Sequence, residues 1–410
     1  MKRSDKINKI INLNMEMSNI KDIDVLLEKV LTEARTLYNA DAGSIYIKED
    51  KNLLFSYAQN ETLRSRLAKN KKLPFTTFTM PITNSSIAGY VANNNVSLNI
   101  PDAYKIPKKT PYSFNSSFDD LVKYRTHSML TVPLTNNREQ VIGVLQLINA
   151  QNSDGKVIKF YKRDESYVHM FAGFAATAIE RAQLTRMTIM RMISMAELRD
   201  PKETGPHVNR VAAYSVEIYE TFARKNKIPA KELDSKRDVL RMAAMLHDVG
   251  KVAISDVILK KPGRFNDEEY EIMKTHSYLG ARLFAEKRSE FDEVSLEVAM
   301  NHHERWDGKG YPGYIDLETL EPMAGHVDKN GGAMKKKGKE IPLFGRIVAV
   351  ADVYDALSCK RVYKDAWAEE DVLKVLKEER GQQFDPEIID AFFECYDEIK
   401  AISKRYPDTD

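Results

Sequence analysis

Residues 302–312 read HHERWDGKGYP, and this run carries more information about the fold than any other part of the chain. Two adjacent histidines lead into a loop shaped by glycine and proline, and five of the eight histidines lie between positions 207 and 303. Neutral imidazoles and ionised carboxylates are the ligands that divalent transition metals select. The pattern predicts a metal site built from this run together with His207, His247, Asp248, His276 and Asp352.

Each of these residues also has an ordinary interpretation when it is taken alone. His276 suits a helix surface or cap, and His302-His303 suits the C-terminus of a helix, where histidine is favourable. Asp352 is harder to explain, because an unpaired carboxylate inside an apolar helix is costly unless charge or metal matches it. His247 and Asp248 are adjacent, so on a helix they point about 100° apart and converge only on an ion between them.

Length and composition set the frame for this site. The chain has 410 residues, 43% of them hydrophobic and 30% charged, which is enough for two or three globular domains. The 62 basic residues nearly balance the 60 acidic ones, so nothing global favours DNA, RNA or an anionic membrane. Recognition of phosphate must therefore be local.

Cysteine usage and the apolar stretches bear on the compartment. Cys359 and Cys395 are the only cysteines and form no CxxC motif, which excludes a disulfide framework and favours a reducing cytoplasm. The first residues are charged and amphipathic rather than signal-like, and the apolar stretches 171–179 and 347–351 are too short to cross a bilayer. We expect a cytoplasmic chain without a transmembrane segment.

The first half of the chain alternates helical and strand-like segments. Apolar residues from Asp22 to Leu37 recur at helical spacing. Strands are predicted at 42–48, 52–58, 128–134 and 141–149, and residues 93–118 are predicted to form a loop. This order indicates an α/β domain with an antiparallel sheet.

Several segments of this half resemble a GAF domain, a small sensory module, over about residues 20–182. The resembling segments are Ala42 to Tyr46, Asn99 to Tyr104, Ser128 to Leu134 and Val141 to Gln146. The resemblance implies a regulatory ligand of unknown identity, with a pure dimerisation module as the alternative.

Residues 163–199 contain no proline or turn cluster and predict a connecting helix. Its methionines (Met187, Met190, Met192 and Met195) suit packing in a core or in a dimer seam. A helix of this length between two domains favours a parallel homodimer.

Beyond residue 200 the pattern is helical throughout, apart from a polar, lysine-rich loop at 315–342. Helices are predicted at 207–225, 238–246, 267–285, 292–303, 344–357, 368–379 and 386–404. The loop suits a lid, a partner-binding segment or a disordered stretch.

Four motifs in this half resemble the HD-GYP family of cyclic di-GMP phosphodiesterases, over roughly residues 195–400. They are His247 to Lys251, His302 to Pro312, Ala351 to Leu357 and Arg361 to Lys364. The predicted fold class is therefore multidomain α+β: a GAF-like α/β domain with an antiparallel sheet, a long connecting helix and an all-α HD-type bundle. The predicted boundaries are 1–19 for an N-terminal helical segment, 20–162, 163–199 and 200–410.

The resemblance implies a shared carboxylate between two metal ions. It assigns one ion to His207, His247, Asp248 and Asp352, and a second to Asp248, His276, His302 and His303. Glu203, four residues before His207, implies a third ion, with Asp355 as its other ligand; an ordinary capping glutamate is the alternative. Iron is the expected metal, and manganese is the second choice.

The resemblance also implies how the substrate is held and cleaved. Asp248 and Lys251 are the expected catalytic residues, and Lys251, Tyr311, Arg361 and Lys364 are the expected substrate contacts. The expected reaction is metal-dependent hydrolysis of cyclic di-GMP to pGpG, to GMP or to both, regulated by the GAF-like domain. The alternatives are another cyclic dinucleotide or nucleotide as substrate, or an inactive scaffold that binds cyclic di-GMP.

Overall fold

The computed structural model describes residues 3–66, 78–197, 205–359 and 367–407. The chain divides into two compact units, Met1–Arg186 and Met187–Asp410. The first unit combines helices with an antiparallel sheet, and the described part of the second is helical, so the predicted fold class is confirmed. The four domain ranges proposed from the sequence stay predictions.

Seven strands of the first unit form one antiparallel sheet. Along its main path the order is β3-β2-β1-β6-β5-β4, and β7 pairs with β6. The strands are β1 (Ala40–Glu49), β2 (Asn52–Asn60), β3 (Thr79–Pro81), β4 (Leu98–Ile100), β5 (Met129–Thr135), β6 (Val141–Gln151) and β7 (Val157–Ile158). All four predicted strands are present, and β4 pairs with β5 inside the stretch predicted as loop. That strand has only three residues, too few for an alternating pattern to be visible.

Helices of the first unit pack on both faces of the sheet. They are α1 (Arg3–Asn19), α2 (Ile23–Tyr38), α3 (Glu61–Arg64), α4 (Ile87–Asn94), α5 (Ser117–Val122) and α6 (Glu165–Glu197), the last of which continues into the second unit. The Asp22 side chain caps α2 by accepting hydrogen bonds from the amides of Asp24 and Val25. Alternate residues of β1, β5 and β6 pack against α1, α2 and the start of α6. This packing explains the predicted helical period, because one stripe of α2 faces the sheet.

The second unit is a bundle of helices. They are α7 (Gly205–Lys225), α8 (Ala230–Met245), α9 (Asp256–Leu259), α10 (Asp267–Lys274), α11 (His276–Arg282), α12 (Glu290–Asn301), α13 (Leu343–Ser358), α14 (Glu369–Glu378), α15 (Pro386–Glu394) and α16 (Tyr396–Arg405). One buried cluster joins α7, α8, α12, α13 and α15, with large side chains such as Tyr214, Tyr219 and Phe392 at its centre. The helix ends that carry the metal-ligand candidates surround this core.

Two helices predicted as continuous are each two helices in the structure. The segment predicted at 267–285 is interrupted at Thr275, and the segment predicted at 386–404 is interrupted at Cys395. The apolar spacing continues across both breaks, so periodicity alone did not reveal them. The break at Thr275 matters, because it places His276 at the first position of a new helix.

None of the helices in the described ranges combines the length and the hydropathy of a bilayer span. The cytoplasmic location expected from the sequence stays a prediction.

Candidate metal centre

Ends and turns of helices deliver the metal-ligand candidates of the described residues. His207 lies in the first turn of α7, and His247-Asp248 directly follows α8 and precedes a short 3-10 helix, Val249–Ala253. His276 begins α11, and His302-His303 follows α12. Only Asp352 and Asp355 lie well inside a helix, α13. Side chains at the ends of different helices can converge on one point, whereas adjacent positions within one helix point about 100° apart.

The structure brings these side chains into two adjoining groups. One group contains Asp248, His276, His302 and His303, and the other contains His207, His247 and Asp352. Within each group the candidate ligand atoms all lie within 4.8 Å of one another. Two donor atoms bound to one ion at about 2.1 Å lie about 3 Å apart at right angles and about 4.2 Å apart on opposite sides. Separations of 3.0 and 3.4 Å in the first group and of 3.7 and 3.9 Å in the second fall in this range.

Asp248 connects the two groups through its two carboxylate oxygens. Its Oδ1 lies 3.0 Å from Nε2 of His276 and 3.4 Å from Nε2 of His302. Its Oδ2 lies 3.4 Å from Nε2 of His247, in the other group. One carboxylate therefore faces both groups, which is the arrangement of a bridging ligand.

The outer nitrogens of three histidines determine which nitrogen faces the centre. Nδ1 of His247, of His276 and of His302 lies 2.8, 2.7 and 3.0 Å, respectively, from the carbonyl oxygen three residues earlier. Because a carbonyl only accepts, each Nδ1 carries the proton, and each Nε2 presents a lone pair to the centre.

The Nε2 atoms of His276 and His302 face Oδ1 of Asp248, and none of these three atoms carries a proton. Nε2 of His276, Nε2 of His302 and Oδ1 of Asp248 are all buried and make no hydrogen bond within the described residues. Acceptors facing each other at about 3 Å repel unless a cation lies between them. This set of orphaned acceptors fits a metal ion.

His207 is oriented by a carboxylate instead of a carbonyl. Its Nδ1 lies 2.8 Å from Oδ2 of Asp355, and Arg210 donates to both oxygens of Asp355, from Nε at 2.6 Å and from Nη2 at 2.9 Å. Burial alone would raise the pKa of the Asp355 carboxyl, but the hydrogen bonds from His207 and Arg210 lower it to about 2. Asp355, predicted as a ligand of a third ion, is thus bound on both oxygens by other side chains.

The electrostatics of the centre favour the ligand forms of its residues. Burial disfavours the charged form of Asp248, yet the Lys251 ammonium holds the pKa of its carboxyl well below the usual value. Burial lowers the pKa of His302, and burial together with the neighbouring rings lowers the pKa of His303 further. At neutral pH the aspartate is ionised and these two imidazoles are neutral, as metal ligation requires.

Gly250 explains how His276 comes to lie beside Asp248. A Cβ atom at position 250 would lie 1.9 Å from the carbonyl oxygen of His276 and 2.4 Å from the amide nitrogen of Gly280. Only glycine permits this approach between the 3-10 helix and α11. Sequence reasoning treated this glycine only as part of a motif, because the contact joins segments that are distant in the chain.

Two of the predicted substrate contacts lie beside the centre. Nζ of Lys251 lies 2.6 Å from Oδ2 of Asp248. The ring of Tyr311 lies 4.8 Å from the ring of His303 at an angle of 32°, and the Tyr311 amide donates to the carbonyl of His303. Burial raises the pKa of the Tyr311 phenol, which therefore stays protonated.

Tyr311 lies in a loop of residues 304–314, here named the signature loop. Arg305 pairs with Asp307 and with Glu379 at 3.0 and 3.1 Å, and the Trp306 amide donates to the carbonyl of Gln383. A Cβ atom at Gly310 would lie 2.3 Å from the Arg305 amide nitrogen, so the loop folds tightly on itself. These contacts anchor the loop to the segment between α14 and α15.

Three predicted site residues, Glu203, Arg361 and Lys364, lie outside the described residues.

Arg210 is the main site residue that the sequence did not predict. Its position three residues after His207 placed it on the same face of α7, and that spacing was the available signal.

Comparisons with known proteins agree with this architecture. A model of the GAF domain matches residues 22–179, and a model of the HD domain matches residues 204–357. The chain belongs to the proteins that join a GAF domain to an HD domain. These matches confirm the two family resemblances predicted from the motifs.

Curated relatives of this GAF–HD chain include three proteins of Vibrio cholerae. One named "3'3'-cGAMP-specific phosphodiesterase 2" is 34% identical over 56% of this chain and 38% of its own length. A "Cyclic di-GMP phosphodiesterase" is 34% identical over 58% of this chain and 45% of its own. A "Probable cyclic di-GMP phosphodiesterase" is 31% identical over 76% and 66%, respectively. The chain thus spans about two fifths to two thirds of the length of these relatives.

Proposed function

We propose that the second unit hydrolyses a cyclic dinucleotide, with cyclic di-GMP as the favoured substrate, at two divalent metal ions. The observation that carries the proposal is the position of Asp248, whose two oxygens face two different groups of histidines. Paired ions a few ångströms apart suit the displacement at a phosphodiester.

The two ligand sets of the proposal follow the two groups. His207, His247, Asp352 and Oδ2 of Asp248 would hold one ion, and His276, His302, His303 and Oδ1 of Asp248 would hold the other. Ions held by these residues would supply a water of lowered pKa and charge to stabilise the phosphoryl oxygens. Five imidazoles with carboxylates suit iron first and manganese second.

The pairing of Asp355 supports two ions in place of three. Arg210 and His207 already bind both of its oxygens, and a guanidinium at 2.6 Å occupies the space a further cation would need. We therefore assign Asp355 to the orientation of His207. Glu203 remains a metal ligand proposed from the sequence alone.

Lys251 and Tyr311 are proposed to hold the substrate. The Lys251 ammonium next to Asp248 can shift to a phosphoryl oxygen, where a fixed cation stabilises the charge that builds during cleavage. Tyr311 offers a ring beside His303 for stacking on a base and a protonated hydroxyl for donation. Arg361 and Lys364 remain proposed contacts to phosphate and guanine.

Cyclic di-GMP is preferred over 3'3'-cGAMP because the names of two of the three relatives specify it. The cGAMP-specific name of the third makes that dinucleotide the second candidate. The expected product is pGpG, with GMP from a second cleavage.

Anaerobic reconstitution tests the proposal directly. The chain is loaded with Fe(II) or Mn(II), each cyclic dinucleotide is added separately, and products are separated by chromatography. We expect cyclic di-GMP to be cleaved faster than cGAMP, and His303→Ala to lower turnover about a thousandfold or more, since metal catalysis supplies several kcal/mol. His169→Ala, in the first unit, is the matched histidine control and should be neutral. A metal-loaded chain that binds cyclic di-GMP and cleaves neither compound would instead identify a scaffold.

The first unit is proposed to regulate the second through a small anionic ligand. An open cavity of about 570 Å³ lies beside β4, and its lining includes Lys105 and Lys159 together with Asp102, which pairs with Lys105 at 3.2 Å. Cationic side chains around such a cavity favour a carboxylate or phosphate compound. A ligand screen by thermal shift, followed by the hydrolysis assay with each hit, tests this role, and Lys159→Met should abolish the shift.

A homodimer through α6 is proposed from its exposed methionines. Met187, Met192 and Met195 are exposed on this helix. Apolar side chains in a row on a helix favour a partner helix. We expect light scattering to give a dimer, and Met192→Glu with Met195→Glu to give a monomer; a monomeric wild-type chain would contradict the proposal.

A further inference from the structure

The lysine-rich loop at 315–342 contains a segment that packs along the signature loop. This segment, Met334–Gly338, is called the brace. Its two ends are bonded to the signature loop: the Tyr314 amide donates to the carbonyl of Met334 at 3.1 Å, and the Gly338 amide donates to the carbonyl of Trp306 at 3.0 Å. The brace therefore spans the loop that presents Tyr311.

Glycine at position 313 makes the close contact between these two segments feasible. Gly313 has a φ of +86°, and a Cβ atom there would lie 2.2 Å from the carbonyl oxygen of Met334. Nζ of Lys335 lies 3.4 Å from the carbonyl of Pro312, a further contact to the same stretch. The two backbones are thus in direct contact, with no side chain between them.

Lys336 points from the brace into the protein. Its Nζ donates to Oδ1 of Asn301 at 2.6 Å and lies 5.4 Å from the centre of the Tyr314 ring. Asn301 is buried and directly precedes His302, and its Nδ2 donates to the carbonyl of Glu297 at 2.7 Å. One lysine side chain therefore links the brace to the end of α12, which carries the histidine pair.

The surroundings of Lys336 are acidic and partly buried. Glu304 accepts a hydrogen bond from the Gly313 amide at 2.6 Å on Oε1, while its buried Oε2 has no partner among the described residues. Glu297 accepts from the Phe344 amide at 2.8 Å. Burial raises the pKa of both carboxyls and lowers the pKa of Lys336, whereas their mutual attraction opposes each shift. The half-buried ammonium thus lies near the buried carboxylate of Glu304 and compensates part of its charge.

We propose that Lys336 is a positioning residue that clamps the signature loop to the His302-His303 end of α12. This role rests on the proposed function. The clamp would keep Tyr311 at a constant distance from His302 and His303, two of the proposed metal ligands. A lysine is suited to this position, since its long stem reaches Asn301 and its ammonium also attracts the carboxylates of Glu304 and Glu297.

Hydrogen exchange on the full-length chain tests the clamp without any need for turnover. We expect Lys336→Met to raise amide exchange in peptides covering 304–314 and 334–338 about tenfold, since an opening that the clamp opposes becomes easier. Exchange in α7 and α8 should stay as in the wild type. Lys339→Met, an exposed lysine close by in the same loop, is the matched control and should change neither peptide. Equal protection in Lys336→Met and wild type overturns the proposal.

If Lys336→Met does not fold, a double variant tests the proposed clamp. Removing the ammonium leaves the buried Glu304 with Lys335 as its remaining nearby cation. Lys336→Met with Glu304→Gln removes both charges, while the glutamine still accepts from the Gly313 amide. We expect this protein to fold and to show the same fast exchange in the signature loop. A double variant as protected as the wild type would overturn the clamp.

Metal binding and turnover separate the clamp from the proposed function. In a chain that hydrolyses a cyclic dinucleotide, Lys336→Met should raise KM about tenfold, because Tyr311 is held less firmly, with two ions still bound. If the wild type hydrolyses nothing, the proposed function fails while the exchange result still tests the clamp.

Discussion

Oδ2 of Asp355 lies 2.8 Å from Nδ1 of His207, on the side of the ring that faces away from the metal-ligand group. Carboxylates in this position orient a ligating imidazole and raise its basicity. We expect Asp355→Asn to weaken binding of one ion about 10- to 100-fold. Titration with Mn(II) under anaerobic conditions measures the change, and Asp371→Asn, at an exposed position on α14, is the control.

The same titration distinguishes orientation from ligation by Asp355. Three ions in the wild type and two in Asp355→Asn would show that Asp355 is a ligand, as the sequence predicted. Unchanged affinity would contradict both roles.

The shared carboxylate predicts an unequal effect of removing ligands. Asp248 faces both groups, whereas His303 belongs to one. We expect Asp248→Ala to lower the occupancy of both ions and His303→Ala to lower the occupancy of one. Metal analysis after gel filtration gives ions per chain for each variant. A fully retained ion in Asp248→Ala would show that the carboxylate does not bridge.

The ion pair between Arg305 and Asp307 in the signature loop predicts that the free energy of unfolding depends on pH. Burial alone would raise the pKa of Asp307, but hydrogen bonds from Arg305 and from the Lys309 amide hold it below its usual 3.8. Because the folded-state pKa is depressed, this stabilisation is present above the unfolded pKa and is lost as pH falls through the folded value. Asp307→Asn should cost about 1–2 kcal/mol at pH 7, and the difference from wild type should shrink below about pH 4.

Tryptophan fluorescence during urea unfolding measures this difference selectively. Both tryptophans, Trp306 and Trp367, lie in the second unit, so the signal reports that unit. Glu318→Gln, at an exposed carboxylate, is the control and should leave the stability unchanged. A difference between Asp307→Asn and wild type that stays constant down to pH 3 would contradict the argument.

The contact at Gly250 predicts a steric effect of a single methyl group. Since a Cβ atom there would lie 1.9 Å from the His276 carbonyl oxygen, Gly250→Ala must displace α11. We expect a loss of about 3 kcal/mol and weaker metal binding. Gly173→Ala, in α6, has nothing within 4 Å and should stabilise by about 0.5–1 kcal/mol. Calorimetry compares the two, and an unchanged transition in Gly250→Ala would contradict the packing argument.

Residue type and local spacing predicted an α/β first half and a helical second half and singled out the clustered histidines, whereas the division into two ligand groups came from the family resemblance. The histidines stood out because each lies beside a carboxylate, another histidine or a helix end. The strands β1, β2, β5 and β6 were predictable because they are long and apolar. The metal roles themselves stay proposals.

Contacts between distant segments were not predictable from local pattern. Arg210 and Asp355 are 145 residues apart, and Lys336 reaches Asn301 across 35 residues. Nothing in the composition around Lys336 distinguishes it from Lys335 or Lys337; only the fold directs it inward. The break at Thr275 was equally hidden, because α10 and α11 continue one apolar period.

The two terminal strands of the sheet's main path, β3 and β4, have three residues each, and a proline ends β3 at Pro81 and follows β4 at Pro101. Proline lacks the amide hydrogen that a neighbouring strand would need, and such short borders give an incoming chain little to extend. The folded sheet should therefore resist growth at these two borders by addition of strands from other copies.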